Sequence, residues 1–139
     1  MIVLDTNVLS EALRPIPEPA VLAWLANQPQ ASLFTTAVTR GEILYGIRVL
    51  PDEKRRRGLW DAAKKIFDED FAGHVLSFDS EAADMYAEIS ALRRTAGKPI
   101  SQFDAMIVAM VRSRGASLAT RNVKDFDDCG TDIINPWTA

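Results

Sequence analysis

Three carboxylates stand where carboxylates are costly. Asp5 follows the apolar run Ile2-Val3-Leu4, Glu42 directly precedes Ile43-Leu44, and Asp104 opens the apolar stretch Ala105 to Val111. Buried acids without partners lose hydration, and clustered ones repel and raise one another's pKa values. A divalent cation relieves both effects. Mg²⁺ prefers oxygen donors in octahedral geometry, keeps several waters, and often needs only one or two carboxylates plus a substrate phosphate. A soft site is excluded, because the chain has one cysteine, Cys129, and one histidine, His74, far apart in sequence. The same three acids also fit helix capping. Thr39-Arg40-Gly41-Glu42 and Ser101-Gln102-Phe103-Asp104 have the capping-box form, and Asp5 could cap a first helix. The two readings are compatible, since a helix N-terminus favours the ionised carboxylate that a metal requires.

The elements that must position these acids alternate between strand and helix. Ile2 to Leu4 reads as a buried first strand, followed by a short helix through Leu13 that Asn7 or Thr6 caps and that Pro15 and Pro17 close. Pro19 suits the first turn of a second helix carrying Val21, Leu22, Trp24 and Leu25. Ser32 to Thr36 reads as a strand and Thr39 to Val49 as a helix. Beyond Pro51, Leu59, Ala63, Ile66, Phe67 and Phe71 keep helical spacing. Val75 to Phe78 is a third strand. A helix from Glu81 to Ala96 is expected to bury Met85, Ile89, Leu92 and Ala96, with Gly97 as its C-cap. Phe103 to Arg114 reads as a central helix, Ser117 to Ala119 as a fourth strand and Asp132 to Ile134 as a fifth, ended by Pro136.

This alternation implies one α/β domain over residues 1–139, with a mostly parallel sheet and helices on both faces. Ligands of such sheets sit beyond the carboxyl ends of the strands, where strand order reverses. Asp5 ends the first strand, and Thr120-Arg121-Asn122 follows the fourth. If those strands are neighbours, these residues share one crevice.

With 139 residues, 47% hydrophobic and 25% charged, the composition is that of a globular chain. The N-terminus lacks the basic flank and long apolar stretch of a signal peptide, and no apolar run is long enough to span a bilayer. One cysteine suits a reducing compartment, so cytoplasm is the expectation and a membrane partner is not. A formal charge of −3 argues against broad electrostatic attraction to nucleic acid. Lys54 to Arg57 and Lys64-Lys65 read as a solvated helix face with its own salt bridges.

The motifs resemble the PIN-domain family of metal-dependent ribonucleases, in particular toxin subunits of VapBC-type toxin–antitoxin pairs. Ile2 to Glu11, with its Asp5-Thr6-Asn7, looks like the family's first motif. Thr39 to Gly46 looks like the second, Ile100 to Ala109 the third, and Ala119 to Asn122 with Asp125-Phe126 the fourth. The ending Asn135-Pro136-Trp137 is similar to the FitB branch. The resemblance implies a three-layer α/β/α fold with a five-stranded parallel sheet, order 3-2-1-4-5. It implies Mg²⁺- or Mn²⁺-dependent hydrolysis of RNA, with Asp5 and Asp104 holding the metal and Glu42 as a further ligand or water orienter. Thr6 and Thr120 match supporting positions. The fourth acidic position falls on Asn122, an amide, which removes one charge; Asp125 is the nearby substitute. Implied partners are RNA, a VapB- or FitA-like antitoxin in a hetero-oligomer, and a second copy in a homodimer. The alternative is a FitB-like regulatory subunit with little turnover, acting through a DNA-binding complex with its antitoxin. A response-regulator or phosphatase reading is disfavoured, because Asp5-Thr6-Asn7 lacks the paired acids such sites carry.

Arg14 and Arg121 flank the motifs and fit either phosphate contact or a surface salt bridge. His74 reads as a turn residue and Cys129 as unreactive without a partner base. Trp24, Trp60 and Trp137 read as core or interface anchors, with Trp60 also able to stack on a base.

Overall fold

The computed structural model describes residues 1–139. The strands β1 (Ile2–Leu4), β2 (Leu33–Thr36), β3 (Val75–Leu76), β4 (Ser117–Ala119) and β5 (Ile133–Ile134) form one parallel sheet in the order β3-β2-β1-β4-β5. The expected order holds, and β1 and β4 are neighbours, with Leu4 opposite Ala119. Successive side chains of a strand point to opposite faces. Val3 and Leu118 accordingly join one core with Ile89, Ile107, Met110 and Phe126. Leu4 and Ala119 join the other with Val8, Val21, Ile43 and Phe67. Both faces are covered, which is why the central strands are apolar throughout rather than alternating.

The helices are α1 (Thr6–Ala12), α2 (Pro19–Ala26), α3 (Ala37–Arg48), α4 (Glu53–Lys65), α5 (Ser80–Thr95) and α6 (Gln102–Ser113). The helix α4 runs on into a wider π-helical turn over Ile66–Asp70, which keeps Phe67 in the core. No helix is long and apolar enough to cross a membrane. The basic face of α4 carries its own pairs, Arg57–Glu53 at 3.1 Å and Lys64–Asp68 at 3.2 Å.

Three local expectations are corrected. The cap of α1 is Asp5, one of the caps the sequence offered, whose side chain accepts from Thr6 N; the other two, Asn7 and Thr6, lie inside the helix. The cap of α3 is Thr36, whose Oγ1 accepts from Thr39 N at 3.1 Å; the helix starts two residues before Thr39, so Thr39 to Glu42 is not a capping box. In α5, Leu92 is 57% exposed while Arg93 is 7% exposed. The apolar stripe therefore gives way to a buried guanidinium near the helix end. Its chain partners are carbonyls and a thiol, which a hydrophobic pattern cannot register.

Candidate active site

Asp5 lies one residue past β1, and its N–H still donates to Ala119 O at 2.9 Å. Thr120 likewise continues β4, its N–H donating to Ile134 O at 2.9 Å. The two side chains thus emerge side by side at the carboxyl ends of adjacent strands. Thr120 Oγ1 donates to Asp5 Oδ2 at 2.7 Å. Its single proton being spent there, the hydroxyl accepts from Asn7 Nδ2 at 3.2 Å and from Asn122 N at 3.1 Å. Asn7 also reaches Asp5 Oδ2 at 3.4 Å and accepts from Arg121 N at 3.1 Å. It stitches α1 to the loop after β4. Sequence reasoning treated Asn7 as a cap and missed this role, although the residue lies inside the quoted Asp-Thr-Asn motif.

Glu42 is brought to the site by the second turn of α3. Its Oε1 accepts from Thr6 Oγ1 at 2.8 Å, so Thr39 Oγ1, 3.0 Å away, is the group that donates to Thr6. Two threonines therefore orient Glu42, and Thr39 is a second supporting residue that the sequence did not reveal as such. Asp104 sits in the first turn of α6, whose Ser101 cap accepts from Asp104 N at 3.3 Å.

Burial, above all, raises the Asp5 carboxyl above the usual carboxylate range. The Thr120 hydroxyl and Thr6 N–H oppose the rise, while the negative charges of Asp104 and Glu42 add to it. Asp104 is also raised, first by burial, with Ser101 opposing and Asp125 adding repulsion. The charges of Glu42 and Asp104 thus act on Asp5, and that of Asp125 on Asp104. Asn122 lends its backbone N–H to Thr120 and leads into a short 3₁₀ turn, Val123–Phe126, that carries Asp125.

The six ion pairs of the chain involve none of Asp5, Glu42, Asp104 or Asp125. A group of carboxylates that is buried at Asp5 and half-buried at Glu42 and Asp104, with no internal cation, fits a hard divalent ion. No three acidic, histidine or cysteine side chains converge tightly enough to ligate one ion directly. That arrangement suits Mg²⁺ or Mn²⁺ held by one or two carboxylates and completed by water.

Two grooves meet at Glu42. One, about 650 Å³, is apolar and lined by Val38, Gly41, Tyr45 and Phe103 beside the acid. The other, also about 650 Å³, runs past Thr6 and Ser10 and carries Arg14 and Arg55. Arg14 pairs with buried Glu11 at 3.3 Å while its own side chain stays largely exposed. Arg121 stacks over Trp137, 5.1 Å from the ring centre. His74 is set apart from the acids: Nδ1 contacts Leu33 O at 2.8 Å and the ring stacks on Phe34, so it joins β2 to the start of β3. Trp60 faces Arg48, 5.3 Å from the ring centre, rather than standing free.

The acidic crevice lies at the β1/β4 switch point of a parallel α/β sheet, the place where ligands of such folds bind. The PIN domain model matches residues 2–130, and the chain belongs to that family. It is 40% identical over 137 residues to the VapC ribonuclease Y4jK of Sinorhizobium fredii, covering 99% of this chain and 98% of that one. It is 35% identical over 137 residues to Toxin FitB of Neisseria gonorrhoeae, covering 99% of each. A solved structure of FitAB bound to an IR36 DNA fragment superposes with a TM-score of 0.93 at 35% identity, over 99% of this chain and 96% of that one.

Proposed function

We propose that this chain is a Mg²⁺- or Mn²⁺-dependent endoribonuclease and the toxin of a VapBC-type toxin–antitoxin pair. The observation that carries the reading is the buried Asp5 carboxylate, repelled by the charges of Glu42 and Asp104 and without an ion-pair partner. The similarity to a VapC ribonuclease over nearly the whole chain supports RNA as substrate.

In this reading Asp5 and Asp104 hold the metal, and Glu42, fixed by Thr6, orients water. The bound cation supplies Lewis acidity, lowering the pKa of water and offsetting charge on the phosphate. Thr120 and Asn7 hold Asp5 in one rotamer, so little reorganisation is needed when RNA arrives. Arg14 and Arg55, which line the groove past Glu42, contact flanking phosphates. Asp125 supplies the fourth carboxylate that Asn122 does not. The protein works in the cytoplasm, pairs with a second copy, and is silenced by its antitoxin.

One finding favours a second reading. The FitAB structure is bound to DNA, so a role as a subunit of a DNA-binding complex with an antitoxin is the competitor. Expression in cells separates the two. Asp5→Asn and Asp104→Asn should each abolish growth arrest while circular dichroism shows a retained fold. Growth arrest by Asp104→Asn as strong as that of the unaltered protein refutes the nuclease assignment.

A further inference from the structure

Arg93 is the one buried cation of the chain, and its partners are unusual. Its Nε donates to Lys98 O at 2.7 Å. Its Nη1 donates to Asp125 O at 2.9 Å and Asp127 O at 3.0 Å, and approaches Cys129 Sγ at 3.4 Å. No carboxylate pairs with it. Burying a guanidinium is expensive, and a leucine or methionine would fill a core position without that cost. What an apolar side chain cannot do is supply donors to several inward-facing carbonyls at once. The planar fork of arginine does so with a fixed geometry.

The carbonyls belong to two segments that matter to the site. Lys98 lies in the connection from α5 to α6, three residues before Ser101, the cap of the helix that carries Asp104. Asp125 and Asp127 lie in the β4–β5 connection, whose only regular structure is one short 3₁₀ turn. That connection folds back on itself, with Asp128 at φ 59° and Gly130 at φ 75°. Its inward carbonyls find their donors in Arg93 because no strand or helix is there to provide them. One side chain thus ties the connection that leads into the helix of Asp104 to the connection that carries Asp125.

We propose that Arg93 is a positioning residue for the acidic site, clamping the α5–α6 connection that leads to Asp104 and the β4–β5 connection that carries Asp125 in a fixed relation. The inference rests on the metal-dependent reading of that site for its consequence but not for the clamp itself. Groups that orient metal ligands typically change metal affinity about 10- to 100-fold when altered. Lysine keeps the charge but is a single point donor on a flexible stem, and cannot span both connections.

The experiment combines Mn²⁺ titration, followed by the electron paramagnetic resonance of free Mn²⁺, with amide hydrogen exchange of the metal-free protein. It uses Arg93→Lys, Asp125→Asn and the double variant, with Arg93→Gln in place of Arg93→Lys if the latter does not fold. Arg93→Lys should bind Mn²⁺ at least about 10-fold more weakly. It should also exchange faster at residues 122–129 and 98–101 than the unaltered protein, while the sheet strands keep their protection. In the Asp125→Asn background the same change should weaken binding by less than about 3-fold, because the side chain through which Arg93 acts is already disabled. Unchanged Mn²⁺ affinity in Arg93→Lys overturns the proposal. So does a full loss repeated in the Asp125→Asn background, which would mark general destabilisation. If the unaltered protein shows no Mn²⁺ binding that Asp104→Asn removes, the metal reading fails. The clamp is then judged by exchange alone, and unchanged exchange at residues 122–129 overturns it.

Discussion

Replacing Thr120 by valine removes one hydroxyl and nearly nothing else in shape. That hydroxyl is fully buried, donates to Asp5 Oδ2 at 2.7 Å and accepts from Asn7 Nδ2 and Asn122 N. A hydrogen bond to a charged group contributes about 1.5–3 kcal/mol, and an orphaned buried polar atom costs a similar amount. Asn122 is exposed and finds water, and Asn7 keeps its 3.4 Å contact with Asp5, so the carboxylate dominates the loss. Thr120→Val should therefore destabilise the metal-free protein by roughly 2–4 kcal/mol at pH 7.5, a large share of a typical domain's stability. The loss should depend on pH in a definite direction. The Asp5 carboxyl is already raised in the folded state, and the Thr120 hydroxyl holds it down. Without that hydroxyl it rises further. A carboxyl raised by folding stabilises the protonated form, so its contribution to stability falls as pH rises through the folded titration. The deficit of the variant should be largest at neutral pH and shrink on acidification, once Asp5 is protonated in both proteins. Urea unfolding of both proteins in EDTA, over a pH series from 7.5 down to the lowest pH at which both stay folded, reads this out. A deficit below about 1 kcal/mol at pH 7.5, or one that does not shrink anywhere along the series, would refute the charged role given to Asp5.

Two other outcomes follow from the same site. Asn122→Asp puts a carboxylate at the fourth acidic position of the resemblance, three residues before Asp125, so Mn²⁺ should bind more tightly and the metal-free melting temperature should drop by a few degrees through added repulsion; calorimetry with and without Mn²⁺ checks both signs. The cognate antitoxin should inhibit by inserting a cation, most simply an arginine, among Asp5, Glu42 and Asp104, since a guanidinium pairs with carboxylates and replaces the metal's charge; the purified complex taking up Mn²⁺ as readily as the free protein would contradict this.

Much of this architecture is legible in the residues, and the misses have physical causes. Asp5 and Thr120 could be placed together because a parallel sheet gathers its strand ends on one edge, and because the family resemblance supplies the strand order. The start of α3 was misplaced by two residues because Thr36 and Thr39 are both good caps, and a glutamate stands three residues after the second. The structure gives Glu42 a different partner, Thr6, from a helix thirty-odd residues earlier, and no local pattern encodes that bond. Arg93 was hidden for a related reason. A 3.6-residue periodicity sees Leu92 as core and an arginine as surface, whereas burial here is decided by carbonyls up to 34 residues away. Asn7 and Thr39 were visible as residues but not as a network, since their bonds reach across to the loop after β4 and to α1.

The central claim is that Asp5, Glu42 and Asp104 form a divalent-metal site that cleaves RNA. The most direct test incubates purified, antitoxin-free protein with RNA in Mn²⁺, in EDTA, and in Mn²⁺ with the folded Asp104→Asn variant. Cleavage in the first case alone is the expected result, with the variant's activity down by at least about 100-fold, which is about 2.7 kcal/mol of lost transition-state stabilisation. Undiminished cleavage by metal-stripped protein, or by Asp104→Asn in Mn²⁺, would contradict it.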